Sequence, residues 1–296
     1  MDHPCTNKIV KNRDVSLSKK EVINCGGKII NLSNPLVMGI VNVTPDSFYD
    51  GGKYNNIGET VERVREIIDQ GAGCIDIGAY SSRPGADIIS AREELKRLDK
   101  SISAIRKKFP DVIISIDTFR AEIAKKLVAE YDVNIINDIS GGEFDAKMFD
   151  TVAELQVPYI LMYMKGTLEN MHLNPGYSDL LGEIIDHFQK KIEKLLTLGV
   201  NDIIIDPGFG FGKTMDQNYQ MFNELSSFNI FGLPLLSGIS RKSMIYKYLE
   251  ISSESALNGT TVLNAYSLLA GVNILRVHDV KEAVEVCRIY NKLKSL

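Results

Sequence analysis

The stretch Met38–Gly52, MGIVNVTPDSFYDGG, changes character halfway along its length. Its first half is a short apolar run that ends at Val43, of the kind that a parallel sheet buries on both faces. The residues Thr44–Ser47 (TPDS) then end the strand, because proline cannot donate to a sheet ladder and its polar neighbours favour turns. Asn42 is therefore predicted at the carboxyl end of a first strand, the end at which parallel α/β proteins place their chemistry.

Apolar strands with polar carboxyl ends recur seven more times along the chain. The predicted strands are Val37–Val43, Cys74–Ile77, Val112–Ile116, Asn134–Ile136, Pro158–Met162, Ile203–Ile205, Pro234–Leu236 and Ile274–Val277. Helices are predicted near Ile57–Gln70, Ser90–Lys108, Ala121–Tyr131, Leu180–Leu198, Met215–Leu225 and Val280–Leu293, with further helix up to Ala270. Strand–helix units without a linker predict a single (β/α)8 TIM barrel over residues 35–296, in the α/β class. A doubly wound open sheet is the alternative, because a count of strands does not prove closure.

The first 34 residues are predicted to form an N-terminal extension and hairpin, separate from the barrel. Residues 1–20 are polar, and Glu21–Leu32 contains two short apolar strands around a turn at Cys25–Lys28. This β-hairpin could plug the bottom of the barrel.

The net charge and the cysteines indicate which classes of partner and which cellular compartment are expected. The net charge of −4 argues against nucleic acid as a general partner. No apolar run approaches membrane-spanning length, and the amino terminus lacks the apolar core of a signal peptide. The four cysteines show no metal-binding spacing, which is typical of a reducing cytoplasm. We therefore expect a cytoplasmic protein that binds neither nucleic acid nor membrane.

The carboxyl ends of the strands carry a set of polar residues that a closed barrel would bring to one mouth. The residues at these ends are Asn42, Asp76, Asp117, Asn137, Met162, Asp206, Gly238 and Arg276. Carboxylates and an amide suit a flat heterocycle that offers an amino-amide edge, because the acceptors face its N–H groups. The alternative for each aspartate is that it caps the following helix, as is common in βα loops.

A second group of strand-end residues is cationic and predicts an anion site. It consists of Arg83, Lys242, Arg276 and His278. Arg276 and His278 alternate along the eighth strand and so point the same way, and the last loops of barrels often bind phosphate. A phosphate or pyrophosphate between these two residues and Asn42 would be paired and hydrogen-bonded. A surface ion pair with Asp279 is the equally weighted alternative.

Seven ordered motifs at the strand ends make the chain resemble the dihydropteroate synthases. They are MGIVNVTPDSFYDGG, DIGAYSSRPGA, SIDTFR, INDISGG, DPGFGFGK, SGISRKS and RVHDV, and the resemblance covers nearly all of residues 35–290. It implies an enzyme of folate biosynthesis that joins 6-hydroxymethyl-7,8-dihydropterin pyrophosphate to p-aminobenzoate and releases pyrophosphate. It also implies Mg²⁺ as cofactor, a homodimer formed by the late helices, and a sulfonamide target.

The resemblance carries roles over to individual residues. It implies a pterin site at Asp117, Asn137, Asp206, Lys242, Met162, Gly210, Phe211 and Gly238. It implies a pyrophosphate site at Asn42, Arg276, His278 and Arg83, with Asn42 also contacting Mg²⁺. It implies a p-aminobenzoate site at Phe48, Ser82, Arg83, Pro84, Lys242 and Ser243, and catalytic roles for Phe48, Asp50, Lys242 and Asp117. The chain departs from the family pattern at Ala79, Tyr80, Ser82 and Tyr163.

Two other functions compete with this interpretation. One is a pterin-binding methyltransferase that passes a methyl group to a corrinoid protein, although that family lacks the Lys242 motif and the Phe48–Asp50 loop. The other is a non-catalytic pterin-binding or scaffold protein that kept the barrel. The GKT at Gly212–Thr214 does not indicate a P-loop, because Pro207 stands where the first glycine is required.

Overall fold

The computed structural model describes residues 19–43, 57–79, 89–167, 169–171 and 176–296. Within these ranges the strands are β1 Val22–Cys25, β2 Lys28–Asn31, β3 Leu36–Asn42, β4 Cys74–Gly78, β5 Ile114–Asp117, β6 Ile135–Asp138, β7 Tyr159–Met162, β8 Ile203–Asp206, β9 Leu236–Ser237 and β10 Ile274–Val277. The helices are α1 Ile57–Asp69, α2 Ala91–Lys108, α3 Ala121–Tyr131, α4 Met148–Leu155, α5 Leu180–Thr197, α6 Met215–Asn223, α7 Ser243–Tyr246, α8 Leu257–Leu269 and α9 Val280–Lys294.

Eight parallel strands form one sheet that closes on itself. The hydrogen-bonded order is β8-β7-β6-β5-β4-β3-β10-β9. A parallel bridge between Ile205 and Leu235 joins the two outer strands, and the Ile205 N–H donates to the Pro234 carbonyl at 3.0 Å. The predicted (β/α)8 barrel is therefore confirmed, and the open-sheet alternative is wrong.

Side-chain caps mark the N-termini of α2 and α6. The Ser90 side chain accepts from the Glu93 N–H at the start of α2, and Thr214 with Gln217 forms a capping box at the start of α6. Helix α6 ends at Asn223, short of the predicted Leu225, and the chain tightens into a 3-10 helix over Leu225–Phe231. Helix α4 was not predicted, because eight residues give too short a window for helical periodicity.

The hairpin of β1 and β2 plugs the amino-terminal end of the barrel, as predicted. Each barrel strand, or the residue just before it, supplies one buried apolar side chain to this end. We call this set the floor: Met38, Cys74, Ile113, Ile135, Ile160, Ile204, Leu236 and Ile274. Ile23, Cys25 and Leu32 of the hairpin segment are buried in the same cluster. The hairpin and the barrel thus share one buried apolar cluster across the predicted boundary at residue 34.

Side chains two residues beyond the floor also point into the barrel, because strand side chains alternate between faces. They form the middle layer: Ile40, Asp76, Ser115, Asn137, Met162, Asp206, Gly238 and Arg276. Two residues further lies the upper layer: Asn42, Gly78, Asp117, Ile139, Met164, Gly208, Ser240 and His278. The barrel interior therefore changes from apolar to largely polar over two residues along each strand.

Across the described part of the chain, we find no helix with the length and apolarity needed to cross a membrane.

Candidate active site

Asp76 is the centre of a buried polar network in the middle layer. It is fully buried, and its Oδ2 accepts hydrogen bonds from Asn137 Nδ2 at 2.9 Å and from Arg276 Nε at 2.7 Å. Arg276 Nη2 continues the network to Asp117 Oδ2 at 3.2 Å. A buried carboxylate is stable only when it is paired in this way. The network brings together residues of β4, β5, β6 and β10, which are far apart in the sequence.

Asp206 and Lys242 form a second buried group on the other side of the mouth. Asp206 lies level with Met162 in the sheet register, and its Oδ1 accepts from the Gly208 N–H at 2.8 Å. Lys242, which directly precedes α7, donates through Nζ to the Phe209 carbonyl and lies 4.6 Å from the centre of the Phe211 ring.

Glycines keep this region open to close approach. Gly208 adopts φ +71°, and a Cβ atom there would lie 1.9 Å from the Tyr163 carbonyl oxygen, so only glycine fits. Gly210 adopts φ +80° directly against the Lys242 side chain. A Cβ at Gly238 would lie 3.9 Å from Asp206 Oδ2, in ordinary van der Waals contact.

Burial and mutual attraction shift the pKa values of these groups. Burial raises the pKa of Asp206 above its ordinary value, although Lys242 and the Gly208 hydrogen bond oppose the shift. Burial lowers the pKa of Lys242 to about 8, against the attraction of Asp206. Burial likewise lowers the pKa of Lys213 to about 7. Neighbouring titratable groups with perturbed pKa values are typical of a functional site.

One flank of the mouth is apolar. Its buried side chains are Phe119, Ile139, Met162, Met164, Met171 and Phe211. Phe119 packs edge-on against Phe144, with ring centroids 5.3 Å apart. An apolar flank beside carboxylates and an amide suits a flat ring with a polar edge, because few convergent polar groups then fix its orientation.

The residues of the predicted anion site lie at the carboxyl ends of β3 and β10. Burial tends to lower the pKa of Arg276, but Asp76 and Asp117 attract its charge more strongly, so the pKa is raised. The His278 backbone is fixed on both sides: its N–H donates to Ser240 Oγ at 3.1 Å, and its carbonyl accepts from Arg63 Nη2 at 2.7 Å. Asn42 is the exposed last residue of β3, in the same inward-facing layer as His278.

The two structural alternatives for these residues do not hold. Among the described residues, Asp76, Asp117 and Asp206 do not cap the helices that follow them: Ser90 caps α2, Thr214 caps α6, and α3 has no side-chain cap. Arg276 does not pair with Asp279, since Asp279 forms a bidentate pair with Arg241 instead.

Several predicted site residues lie outside the described residues. They are Phe48, Asp50, Ser82, Arg83 and Pro84, together with the departure Tyr80. Their roles stay predictions. Ser243 is described and is the first residue of α7, as expected.

Three residues matter to this geometry although the predicted site did not contain them. Asp76 is one of the predicted strand ends, but its central place in the network depends on pairing between strands that are distant in the sequence. Lys213 Nζ donates to the carbonyls of Pro207, Gly208 and Phe211 at 3.0, 3.0 and 3.1 Å, and so organises the glycine-rich loop. Arg241 stands beside Lys242 in the same SRKS motif, and charge alone could not separate their roles.

Two departures from the family pattern lie on the outside of the barrel. Tyr163 stands between the inward-facing Met162 and Met164, and its ring centroid lies 4.9 Å from that of His187 on α5. Ala79 is fully buried between β4 and the surrounding helices. Ala79 therefore changes helix packing, whereas the Tyr163 ring also lies 4.8 Å from Lys213 Nζ, which organises the glycine-rich loop.

Comparison with known proteins identifies the family. The family model described as "Pterin binding enzyme" matches residues 38–278. A dihydropteroate synthase of Clostridium beijerinckii is 41% identical over 79% of this chain and 85% of its own length. The crystal structure of Yersinia pestis dihydropteroate synthase with a sulfonamide drug matches with a TM-score of 0.86 and 39% identity, over 93% of this chain and all of that one. Xanthomonas albilineans dihydropteroate synthase in complex with 7,8-dihydropteroate matches with a TM-score of 0.83 and 31% identity, over 93% and 99% of the two chains. This chain belongs to the pterin-binding enzymes and, within them, to the dihydropteroate synthase family.

Proposed function

We propose that this chain condenses 6-hydroxymethyl-7,8-dihydropterin pyrophosphate with p-aminobenzoate to give 7,8-dihydropteroate and pyrophosphate. The observation that carries the proposal is the combination at one barrel mouth of buried carboxylates, an amide and a buried lysine beside an apolar flank. The Xanthomonas albilineans relative, which binds the product 7,8-dihydropteroate, supports the same reaction for this chain.

The pterin ring would bind between the polar middle layer and the apolar flank. Asn137 and Asp117 are partners in the register of adjacent strands, so their side chains offer a donor and acceptors to one edge of the ring. Asp206 and Lys242 would contact another part of the ring, next to Phe211. Met162, Gly210 and Gly238 would provide the surfaces that the flat ring approaches.

The anion site would bind the pyrophosphate of the same substrate. Arg276 uses Nε and Nη2 for Asp76 and Asp117, whereas its Nη1 donates to none of the described residues. That nitrogen is therefore available to an oxygen of the ligand. His278 and Asn42 lie in the layer just above it, and Arg83 would add a further positive charge.

Loss of pyrophosphate would precede attack by the amine, in an SN1-like sequence. The bond between the pterin methylene carbon and the pyrophosphate oxygen breaks, and the electron pair leaves with the pyrophosphate. The positive charge spreads into the ring, where the carboxylates of Asp117 and Asp206 favour it. The aniline nitrogen then bonds to the methylene carbon and loses a proton to solvent. An arylamine attacks such a cation without a strong base, so this scheme needs no activated nucleophile from the protein.

The donor set at the mouth fits Mg²⁺. This ion prefers oxygen ligands and keeps several waters, so it often uses one or two protein groups together with substrate phosphates. Asn42 offers an exposed amide oxygen at the end of β3 and is the residue that would hold the ion. When bound, Mg²⁺ would neutralise charge on the departing pyrophosphate.

The p-aminobenzoate would bind above the pterin site. Lys242 and Ser243 stand at the junction between the β9 loop and α7, next to the pterin-side group of Asp206 and Phe211. Phe48, Asp50, Ser82, Arg83 and Pro84 would complete this pocket and keep water from the cation.

We also infer a homodimer formed by α8 and α9. Exposed apolar residues recur along one face of α8, at Val262, Tyr266 and Leu269, which are 47%, 61% and 72% exposed. Ile289 and Leu293 of α9 are 64% and 66% exposed with a similar spacing. Faces of this kind usually meet a partner. Sedimentation velocity should show a dimer for the native chain and a monomer for Leu269→Glu, and a native monomer would contradict the inference.

The three described cysteines support a cytoplasmic location. Cys25, Cys74 and Cys287 are buried free thiols, as expected where disulfides do not form.

A pyrophosphate-release assay with and without each substrate tests the proposed function. We expect release that needs both 6-hydroxymethyl-7,8-dihydropterin pyrophosphate and p-aminobenzoate. Methyl transfer to a corrinoid protein would favour the methyltransferase alternative, and pterin binding without turnover would favour the non-catalytic one.

A further inference from the structure

Two neighbouring loops at the mouth are joined by a pair of adjacent contacts. Arg241 directly precedes Lys242, and Asp279 directly follows His278. Arg241 Nε donates to Asp279 Oδ2 at 2.8 Å, and its Nη2 donates to Oδ1 at 2.7 Å, which is a bidentate pair. Beside it, the His278 N–H donates to Ser240 Oγ at 3.1 Å. The loop that contains Lys242 and the loop that contains His278 are therefore linked by two neighbouring contacts, Arg241 with Asp279 and Ser240 with His278.

The Arg241 guanidinium is committed to protein groups rather than to a ligand. Its third nitrogen, Nη1, donates to the Glu254 carbonyl at 2.9 Å, so all three nitrogens face acceptors of the chain itself. The side chains of Arg241 and Asp279 are 28% and 15% exposed, and such a partly buried pair is screened less by salt than a surface pair. This separates Arg241 from its neighbour Lys242, whose side chain faces Phe211 in the mouth.

The backbone at Arg241 is held in a conformation that arginine rarely adopts. Its φ is +54°, in the left-handed region, which costs a non-glycine residue free energy. The Arg241 N–H donates to Thr260 Oγ1 at 3.1 Å, so the surroundings fix the main chain as well as the side chain. A turn of this shape directs the next residue, Lys242, and its direction depends on the contacts of Arg241.

We propose that Arg241 is a positioning residue and that its pair with Asp279 is a clamp holding Lys242 and His278 at a fixed separation, so that the pterin and pyrophosphate subsites act as one unit. The proposal rests on the proposed function, because the roles of Lys242 and His278 come from it. Because the Arg241 nitrogens already face protein acceptors, the clamp would act through Lys242 and His278 rather than on the substrate. Breaking either side of the clamp should therefore lower turnover and anion binding without removing a ligand contact.

The test is a double-mutant cycle with two readouts. Arg241→Gln, Asp279→Asn and the double variant are compared with the native chain by kcat/KM for pyrophosphate release and by the dissociation constant of inorganic pyrophosphate. We expect each single variant to lose about tenfold in both quantities. The double variant should lose no more than either single one, because the clamp is already open.

Arg106→Gln is the matched control. Arg106 is also an arginine whose nitrogens are used by the chain: it donates to the carbonyls of Tyr131, Pro110, Val112 and Asp132 near the barrel floor. We expect it to lower the melting temperature to a similar extent while leaving both readouts within twofold of the native values.

Specific outcomes would overturn the clamp. Native kcat/KM and native pyrophosphate affinity in the single variants would show that the pair only stabilises the fold. Losses that multiply in the double variant would show two independent effects. If the native chain releases no pyrophosphate from its substrates, the proposed function fails by itself, and the affinity for inorganic pyrophosphate still decides the clamp. The clamp would then be rejected if Arg241→Gln binds inorganic pyrophosphate as tightly as the native chain, or if the native chain does not bind it.

Discussion

The floor and the middle layer of the barrel use the same eight strands only two residues apart, yet they are built for different purposes. The floor is a closed set of apolar side chains sealed by the hairpin residues Ile23 and Leu32. The middle layer places Asp76, Asn137 and Arg276 in a hydrogen-bonded network. A floor of this kind stabilises the fold through burial of apolar area. The middle layer accepts the cost of desolvating charges, which is why ligand binding belongs there.

Removal of Arg276 should produce the largest loss of stability among the variants considered, although the residue faces the site. Arg276→Met leaves the carboxylates of Asp76 and Asp117 buried without their counter-charge, so the free energy of unfolding should fall by about 3–5 kcal/mol. Chemical denaturation at pH 7 measures this. Adding Asp76→Asn should restore part of the loss, and no recovery in the double variant would contradict the pairing.

A truncation in the floor should cost nearly as much stability and leave the chemistry intact. Ile204 is fully buried, and Ile204→Ala should lower the free energy of unfolding by about 2–5 kcal/mol through lost burial and a cavity. At a temperature where the variant is fully folded, kcat/KM for pyrophosphate release should stay within twofold of the native value. A tenfold kinetic loss would show that the two layers are not independent.

The alkaline pH dependence of turnover should be caused by Lys242 at the barrel mouth. Because the pKa of Lys242 is lowered to about 8, its ammonium is lost above that pH, and kcat/KM should fall about tenfold per pH unit there. Lys242→Arg should remove this alkaline limb, since arginine stays charged. Lys213→Met should keep the limb near pH 8, although Lys213 also titrates early, at about 7. A limb that survives Lys242→Arg would assign it to another group.

The sequence predicted the barrel and most of its mouth because the period of two along each strand is a local property. Arg276 and His278 alternate visibly, and Asp206 ends an apolar run. The contact of Arg276 with Asp76 could not be predicted, because it depends on β10 pairing with β3 and on the stagger of the closed sheet. Helix α4 was missed because its eight residues complete little more than two turns.

The separate roles of Arg241 and Lys242 also lay beyond the sequence. Adjacent cations in SRKS carry the same charge, and only the left-handed turn at Arg241 sends one side chain to Asp279 and the other toward Phe211. The environment of Tyr163, a departure from the family pattern, was likewise not predictable: its ring packs against His187 and Phe188 of α5 and against Lys213 of the glycine-rich loop.

Calorimetric binding of 6-hydroxymethyl-7,8-dihydropterin pyrophosphate, in the absence of p-aminobenzoate, tests most directly whether the ligand lies in the middle layer. Asp206→Asn and Ile204→Val change residues two positions apart on β8, one in the middle layer and one in the floor. Asp206→Asn should weaken binding by about 10- to 100-fold, because a charged acceptor is lost, whereas Ile204→Val should bind within twofold of the native chain. Equal affinities for the native chain and Asp206→Asn would contradict the account.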